Sequence, residues 1–189
     1  MGQIKDKRST ILKTTLALIT ERGFHATPMS MIAKEAKVSV GVIYRYFKNK
    51  EELINVLFRE LKAEMNEATF KGDLEEQPTK LRFQLVWKNV LHYYISNPQA
   101  FKFIEQYYYS SFIDEETEKT RSQLNEPITQ FFEEFRENKQ LKDLPVDALY
   151  AIVHGPIVSL AKFHLETQMT LDDNTINNIV ETIWEAITL

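Results

Sequence analysis

Cysteine is absent from all 189 residues, which excludes a disulfide framework and any thiolate metal site. Glycine (5) and proline (6) are scarce, and valine-rich alternating runs are missing, so a sheet-based fold has little support. No run of about 18 apolar residues occurs, and the polar, basic N-terminus lacks an apolar signal core. The chain is therefore expected to be cytoplasmic. Its four histidines, His25, His92, His154 and His164, are scattered. His154 and His164, ten residues apart on one expected helix, would stand about 15 Å apart by helical rise. No His-Glu metal pattern, phosphate loop or nucleophile motif is present. No enzyme, cofactor or metal is expected.

What is present is helical periodicity and a divided charge. The length fits one large or two small domains with a sizeable core. Through Lys50 the chain holds ten Lys and Arg against three Asp and Glu, a net +7, while residues 51–189 hold 13 against 24, a net −11. A positive end on an acidic chain suits a nucleic-acid-facing head on a solvated remainder.

The expected elements are all helices. The first spans about Lys5 to Arg22, with Ile11, Leu12, Thr15, Leu16, Leu18 and Ile19 as its apolar stripe and Gly23 ending it. Thr27 reads as the N-cap and Pro28 as the first residue of a second helix reaching about Ala36. Ser39 caps a third, Val40 to about Phe47, and Asn49 caps a long fourth reaching about Phe70. A break at Lys71-Gly72-Asp73 follows. Further helices are expected from about Pro78 to Ser96, from Asn97-Pro98 to about Phe112, and from Asp114 through Pro127 to near Lys139. Another spans Leu144-Pro145 to about Thr167, bent at Gly155-Pro156, and the last ends near Ile187 behind Asp172 or Asp173.

Two short helices joined by a tight turn and preceded by a longer one make a helix-turn-helix. The residues Ile11-Leu12, Gly23-Phe24, Ile32-Ala33, Ala36, Val38-Ser39-Val40-Gly41, Tyr44-Arg45-Tyr46-Phe47 and Lys50-Glu51-Glu52-Leu53 resemble the N-terminal domain of TetR/AcrR-type transcriptional regulators over about residues 8–57. Lys37 stands where that family usually has glycine, at a turn position that often needs a left-handed backbone. The fold class is thus all-α. A three-helix DNA-binding domain over residues 1–50 precedes a larger helical ligand-binding and dimerisation domain over 51–189.

Gly41 lets the third helix approach a duplex without a side chain between. Ser39, Val40 and Arg45 lie toward the groove side. Arg45 is the long donor that could grip a guanine edge, with a phosphate as its alternative, and Val40 could touch a thymine methyl. Tyr44 and Tyr46 offer hydroxyls to phosphates, although Tyr46 could instead cover the core. Lys48 and Lys50 supply charge, Lys48 with simple solvation as its alternative. Thr27 offers a hydroxyl and a helix N-terminus. The resemblance implies phosphate contacts at Thr27, Tyr44 and Lys50. Ile43 and Phe47 read as the buried underside.

The middle of the chain is rich in aromatics, and so many tyrosine hydroxyls need partners of the kind a pocket provides. Trp87, Tyr94, Phe103, Tyr107, Phe131 and Phe135 are the candidate ligand residues, with an aromatic core as the alternative for each. Glu105 among them would suit a lipophilic, aromatic or cationic effector, or else lies on the surface. Leu149, Val153, Ile157, Leu160 and Ala161, then Ile176, Ile179, Val180, Ile183, Trp184 and Ile187, form wide stripes on the last two helices, core on one side and partner surface on the other. The resemblance implies a two-fold homodimer through those helices and a small-molecule effector. The function expected is a ligand-responsive regulator, in the commoner case a repressor released from a palindromic operator. A helical protein-interaction adaptor is the alternative, but it leaves the basic cluster unexplained.

Overall fold

The computed structural model describes residues 2–73, 75–137, 139–167 and 169–189. Nine helices are described: α1 Gly2–Arg22, α2 Met29–Glu35, α3 Val40–Tyr44, α4 Lys50–Thr69, α5 Thr79–Ser96, α6 Pro98–Tyr107, α7 Glu115–Glu137, α8 Val146–Thr167 and α9 Asp173–Ile187. No strand is formed among the described residues, apart from an isolated bridge between Leu141 and Thr188. The fold is all-α, as the periodicity indicates.

Local chemistry explains most helix ends. Gly23, at φ 84, closes α1 with its N–H on the Ile19 carbonyl at 2.7 Å. Asn49 Oδ1 accepts from the Glu52 N–H at 2.8 Å, Asp114 Oδ1 from Thr117 at 2.6 Å and Asp172 Oδ1 from Thr175 at 2.8 Å. These three caps satisfy otherwise orphaned donors in first turns. Lys37 does adopt the left-handed backbone, at φ 53. Its N–H reaches Lys34 O at 3.1 Å and that of Val38 reaches Ala33 O at 3.0 Å, the paired bonds of a Schellman ending to α2.

Three ends depart from expectation. Thr27 does not cap α2. Pro28 holds the cap position without a side-chain bond, and Thr27 is fully buried with its hydroxyl donating to Gly23 O at 2.9 Å. Ser39 sits at the cap of α3, yet its side chain makes no capping bond. α6 stops at Tyr107 rather than Phe112, because Asn55 Nδ2 holds the Phe112 carbonyl at 2.7 Å and draws that segment off the helix axis.

The chain packs as two compact units, Met1–Lys62 with Gln99–Arg121, and Ala63–Pro98 with Ser122–Leu189. α4 starts at the expected domain boundary and supplies its first thirteen residues, Lys50–Lys62, to the first unit. The core of that unit includes Ile11, Ile19, Ile32, Ile43, Phe47, Leu53, Phe58, Phe103 and Tyr107. In the second, α5 packs against α8 and α9, burying Phe83, Trp87, Leu149, Val153, Ile157 and Val180. Among the described residues α8 is the one helix long and apolar enough to cross a membrane by length and composition; here its Leu149–Ala161 stripe is core.

Candidate nucleic-acid interface and ligand residues

The segment from Ser39 to Lys50 separates cleanly into two sides. Ile43 is wholly buried and Phe47 is 1% exposed, and the Arg8 guanidinium lies 5.7 Å from the Phe47 ring centroid. With that underside fixed, Ser39, Gly41, Tyr44, Arg45 and Lys48 are exposed, while Val40 and Tyr46 are half-buried. Tyr44 is 53% exposed, unusual for so large a ring. At Gly41 an added methyl would meet nothing nearer than Ser39 Oγ at 3.9 Å, so the outer face of α3 is open. The α-helix is shorter than expected. Arg45 is its C-cap, and the N–H groups of Tyr46 and Phe47 both return to the Ile43 carbonyl at 2.9 and 3.0 Å.

Two expected phosphate contacts change character. The Thr27 hydroxyl has one proton, already given to Gly23 O, with Leu18 O at 3.4 Å; it has none to offer a phosphate. Lys50 is half-buried. Its Nζ donates to Phe24 O and lies 5.5 Å from the Phe112 ring centroid, and burial holds its pKa below the usual lysine value. It is a tethered cation rather than a free one. Phe24 in turn stacks on Phe112 at 5.3 Å and meets Phe103 at 5.5 Å.

The candidate ligand residues fall in both units. In the first, Phe103 stacks on Tyr107 at 6.1 Å and Tyr107 on Phe58 at 4.0 Å. The Tyr107 hydroxyl donates to Asn55 Oδ1, and burial pushes its pKa up to about 12, keeping it a donor. Glu105 is half-buried on the same helix. In the second, Trp87 and Tyr94 are buried on α5, and Tyr94 Oη lies 2.8 Å from His154 Nε2. Phe131 and Phe135 pack at 4.3 Å beside the Arg82 guanidinium. Arg82 itself is bound by Asp73 at 2.8 and 3.0 Å and by Glu134. The hydroxyls of Tyr94 and Tyr107 therefore find core side chains. Trp87 Nε1 is buried without a hydrogen-bond partner among the described residues.

One charged residue escaped the sequence reading. Lys62 is 5% exposed, and burial lowers its pKa to about 8. The signal was available: Ile54, Leu57, Phe58, Leu61 and Met65 set a stripe on α4, and residue 62 falls on it at helical spacing.

Residues 11–57 match the family described as bacterial regulatory proteins, tetR family, and residues 78–188 match the tetracyclin repressor-like C-terminal domain. The chain belongs to the TetR family. A helix-turn-helix transcriptional regulator of Haemophilus influenzae is 27% identical over 189 residues, 99% of each chain. The fatty acid metabolism regulator protein of Bacillus subtilis is 38% identical over 79 residues, 42% of this chain and 40% of that one. A TetR family transcription regulator from Marinobacter aquaeolei superposes with a TM-score of 0.91 at 21% identity, covering 100% of this chain and 99% of that structure. A Vibrio parahaemolyticus structure of the family gives 0.83 at 26% identity, over 97% and 99%. This TetR family member is a helix-turn-helix transcriptional regulator.

Proposed function

We propose that this regulator binds a palindromic operator as a homodimer and is released from it by a small lipophilic effector, most simply as a repressor. Residues 1–50 form the reading head and 51–189 the ligand-binding and dimerisation domain. The observation that carries the DNA reading is the two-sided segment from Ser39 to Lys50. Hydroxyl, guanidinium and ammonium groups stand outside, above Ile43 and Phe47 buried inside. Arg45 reads a base edge, Tyr44 and Tyr46 hold phosphates, and Lys48 with the tethered Lys50 supplies charge.

Dimerisation is supported by an apolar groove of about 590 Å³ between α8 and α9, lined by Ile152, Pro156, Leu160, Phe163, Ile179 and Ile183 among others. Ile152 and Phe163 are 39% and 58% exposed, while the opposite sides of both helices are core. A second copy of the same groove fits, because one short reading helix offers few base contacts and two half-sites are needed. Effector binding in the aromatic domain favours a spacing of the two heads that mismatches the operator. α4, which runs unbroken from Lys50 to Thr69, is the covalent path for that change.

The deciding experiment is fluorescence anisotropy with selected palindromic duplexes over a salt series. Binding that weakens steeply with salt supports the reading; no preference for any palindrome over random duplex would sink it in favour of an interaction adaptor.

A further inference from the structure

We propose that Phe112 is a positioning residue for DNA binding: its ring face holds the Lys50 ammonium in place for a phosphate. Phe112 lies far outside the helix-turn-helix, yet residues 99–121 pack in the same compact unit as the reading head. The inference rests on the reading of Lys50 as a phosphate contact given above, and names what sets that contact.

Both ends of the Phe112–Lys50 pair are fixed. The Phe112 N–H donates to Ser110 Oγ at 3.3 Å, and its carbonyl accepts from Asn55 Nδ2 at 2.7 Å. Ser110 Oγ in turn donates to the Tyr107 carbonyl at 2.8 Å, and the Asp114 N–H donates to Asn55 Oδ1 at 3.2 Å. The Phe112 ring is seated by the Phe24 ring, stacked at 5.3 Å, and by the His25 ring, also at 5.3 Å. Lys50 is the first residue of α4. Its Nζ donates to the Phe24 carbonyl and stands 5.5 Å from the Phe112 centroid. A ring face attracts an ammonium within about 6 Å. Phe24 therefore touches both partners, Phe112 through its ring and Lys50 through its carbonyl.

The chemistry favours a tether that presents the cation over one that withholds it. An ammonium has three donors. One goes to the Phe24 carbonyl, and the ring attracts the charge as a whole without taking a conventional hydrogen bond. Donors remain for a phosphate, and Lys50 is only half-buried. A lysine on a free four-carbon stem loses rotamer freedom when it grips an anion. One already held loses less, and the difference appears as affinity. Cover for Phe24 does not account for the ring, since a leucine would cover it and offer the ammonium no negative face.

The test is a double-mutant cycle on the full-length protein. Fluorescence anisotropy reads binding to a selected palindrome and to a random-sequence duplex, because a phosphate contact acts on either. Phe112→Leu keeps the backbone bonds and most of the apolar volume but removes the ring face. It should weaken binding to both duplexes by about threefold to thirtyfold. Pre-ordering contributes no more than the contact that enforces it, here one cation–π pair in each of two half-sites. Phe112→Tyr, which keeps the ring, should lose less than about twofold. In a Lys50→Met background, Phe112→Leu should cause no further loss. Fluorinated phenylalanines at position 112 draw electron density off the ring at nearly constant size. They should weaken binding stepwise with each fluorine, and they serve if the leucine variant does not fold. Wild-type affinity in Phe112→Leu, or an equal loss with and without Lys50, would overturn the positioning role and leave Lys50 as a phosphate contact. Unchanged affinity and salt dependence in Lys50→Met would instead remove the Lys50 reading, and the inference with it.

Discussion

The α3 face and the α8–α9 face are both the outer sides of helices whose inner sides are core, but they present opposite chemistry. Around α3 the outward groups are hydroxyls, a guanidinium and an ammonium. Between α8 and α9 they are carbon, with Phe163 and Ile152 uncovered. The first surface loses little in water and gains on meeting phosphate. The second loses in water and gains only when another apolar face covers it. The contrast suits the two partners proposed above, a polyanion for one face and a copy of the chain for the other.

Giving the second face the chemistry of the first should have the largest effect. Phe163→Asp is expected to yield a folded monomer by light scattering and to weaken operator binding by about a hundredfold or more, as paired engagement is lost. A dimeric variant would assign the groove to something else.

Next is the charge that belongs to neither face. Lys62 has a pKa of about 8 when folded against 10.5 ordinarily. Below pH 8 both folded and unfolded chains hold the proton, and the folded one carries it buried. Between about pH 8 and 10.5 the unfolded chain binds more protons, so wild-type stability rises through that window. Lys62→Met should therefore be the more stable protein at pH 7, by up to about 3 kcal/mol, and lose that advantage by pH 10. A gap constant across that range, in thermal melts, would mean the ammonium is solvated.

Stripping the first face is expected to do less. Arg45→Ala should cost about 2 kcal/mol on the preferred operator and flatten preference at one base pair per half-site. An unchanged profile across an operator library would move Arg45 to a phosphate. The smallest effect is at the turn beneath that face. Lys37→Gly should stabilise the fold by about 1 kcal/mol in denaturant melts, because a left-handed residue with a side chain is strained, while operator specificity stays the same.

Much of this was legible in the sequence because the deciding signals are local. Gly23, Asn49, Asp114 and Asp172 announce helix ends through their own backbone or side-chain chemistry, and the left-handed turn at Lys37 was expected because the resembling family usually has glycine there. The two-sided reading segment followed from helical spacing. What was not legible depended on distant partners. A threonine before a proline has the form of an N-cap, but the Gly23 carbonyl, four residues back, took the proton of Thr27. Phe112 looked helical until Asn55, 57 positions away, claimed its carbonyl. The tyrosine hydroxyls suggested a pocket because a sequence cannot show that Asn55 and His154 stand within hydrogen-bond reach of them. Lys62 was hidden by habit: a lysine on a charged, exposed-looking helix is usually solvent-facing, and only its register says otherwise.

Asn55 has a consequence for how this regulator can move. Both protons of its amide are donated and its oxygen accepts twice, from four groups spread over α4, the end of α6 and the approach to α7. A displacement of the 107–114 segment along α4 strains the bonds to Tyr107, Phe112 and Asp114 together, since one planar amide sets their directions, while the bond to Glu51 stays within α4. The segment is therefore held like a latch, by three bonds that share one side chain and are seated together.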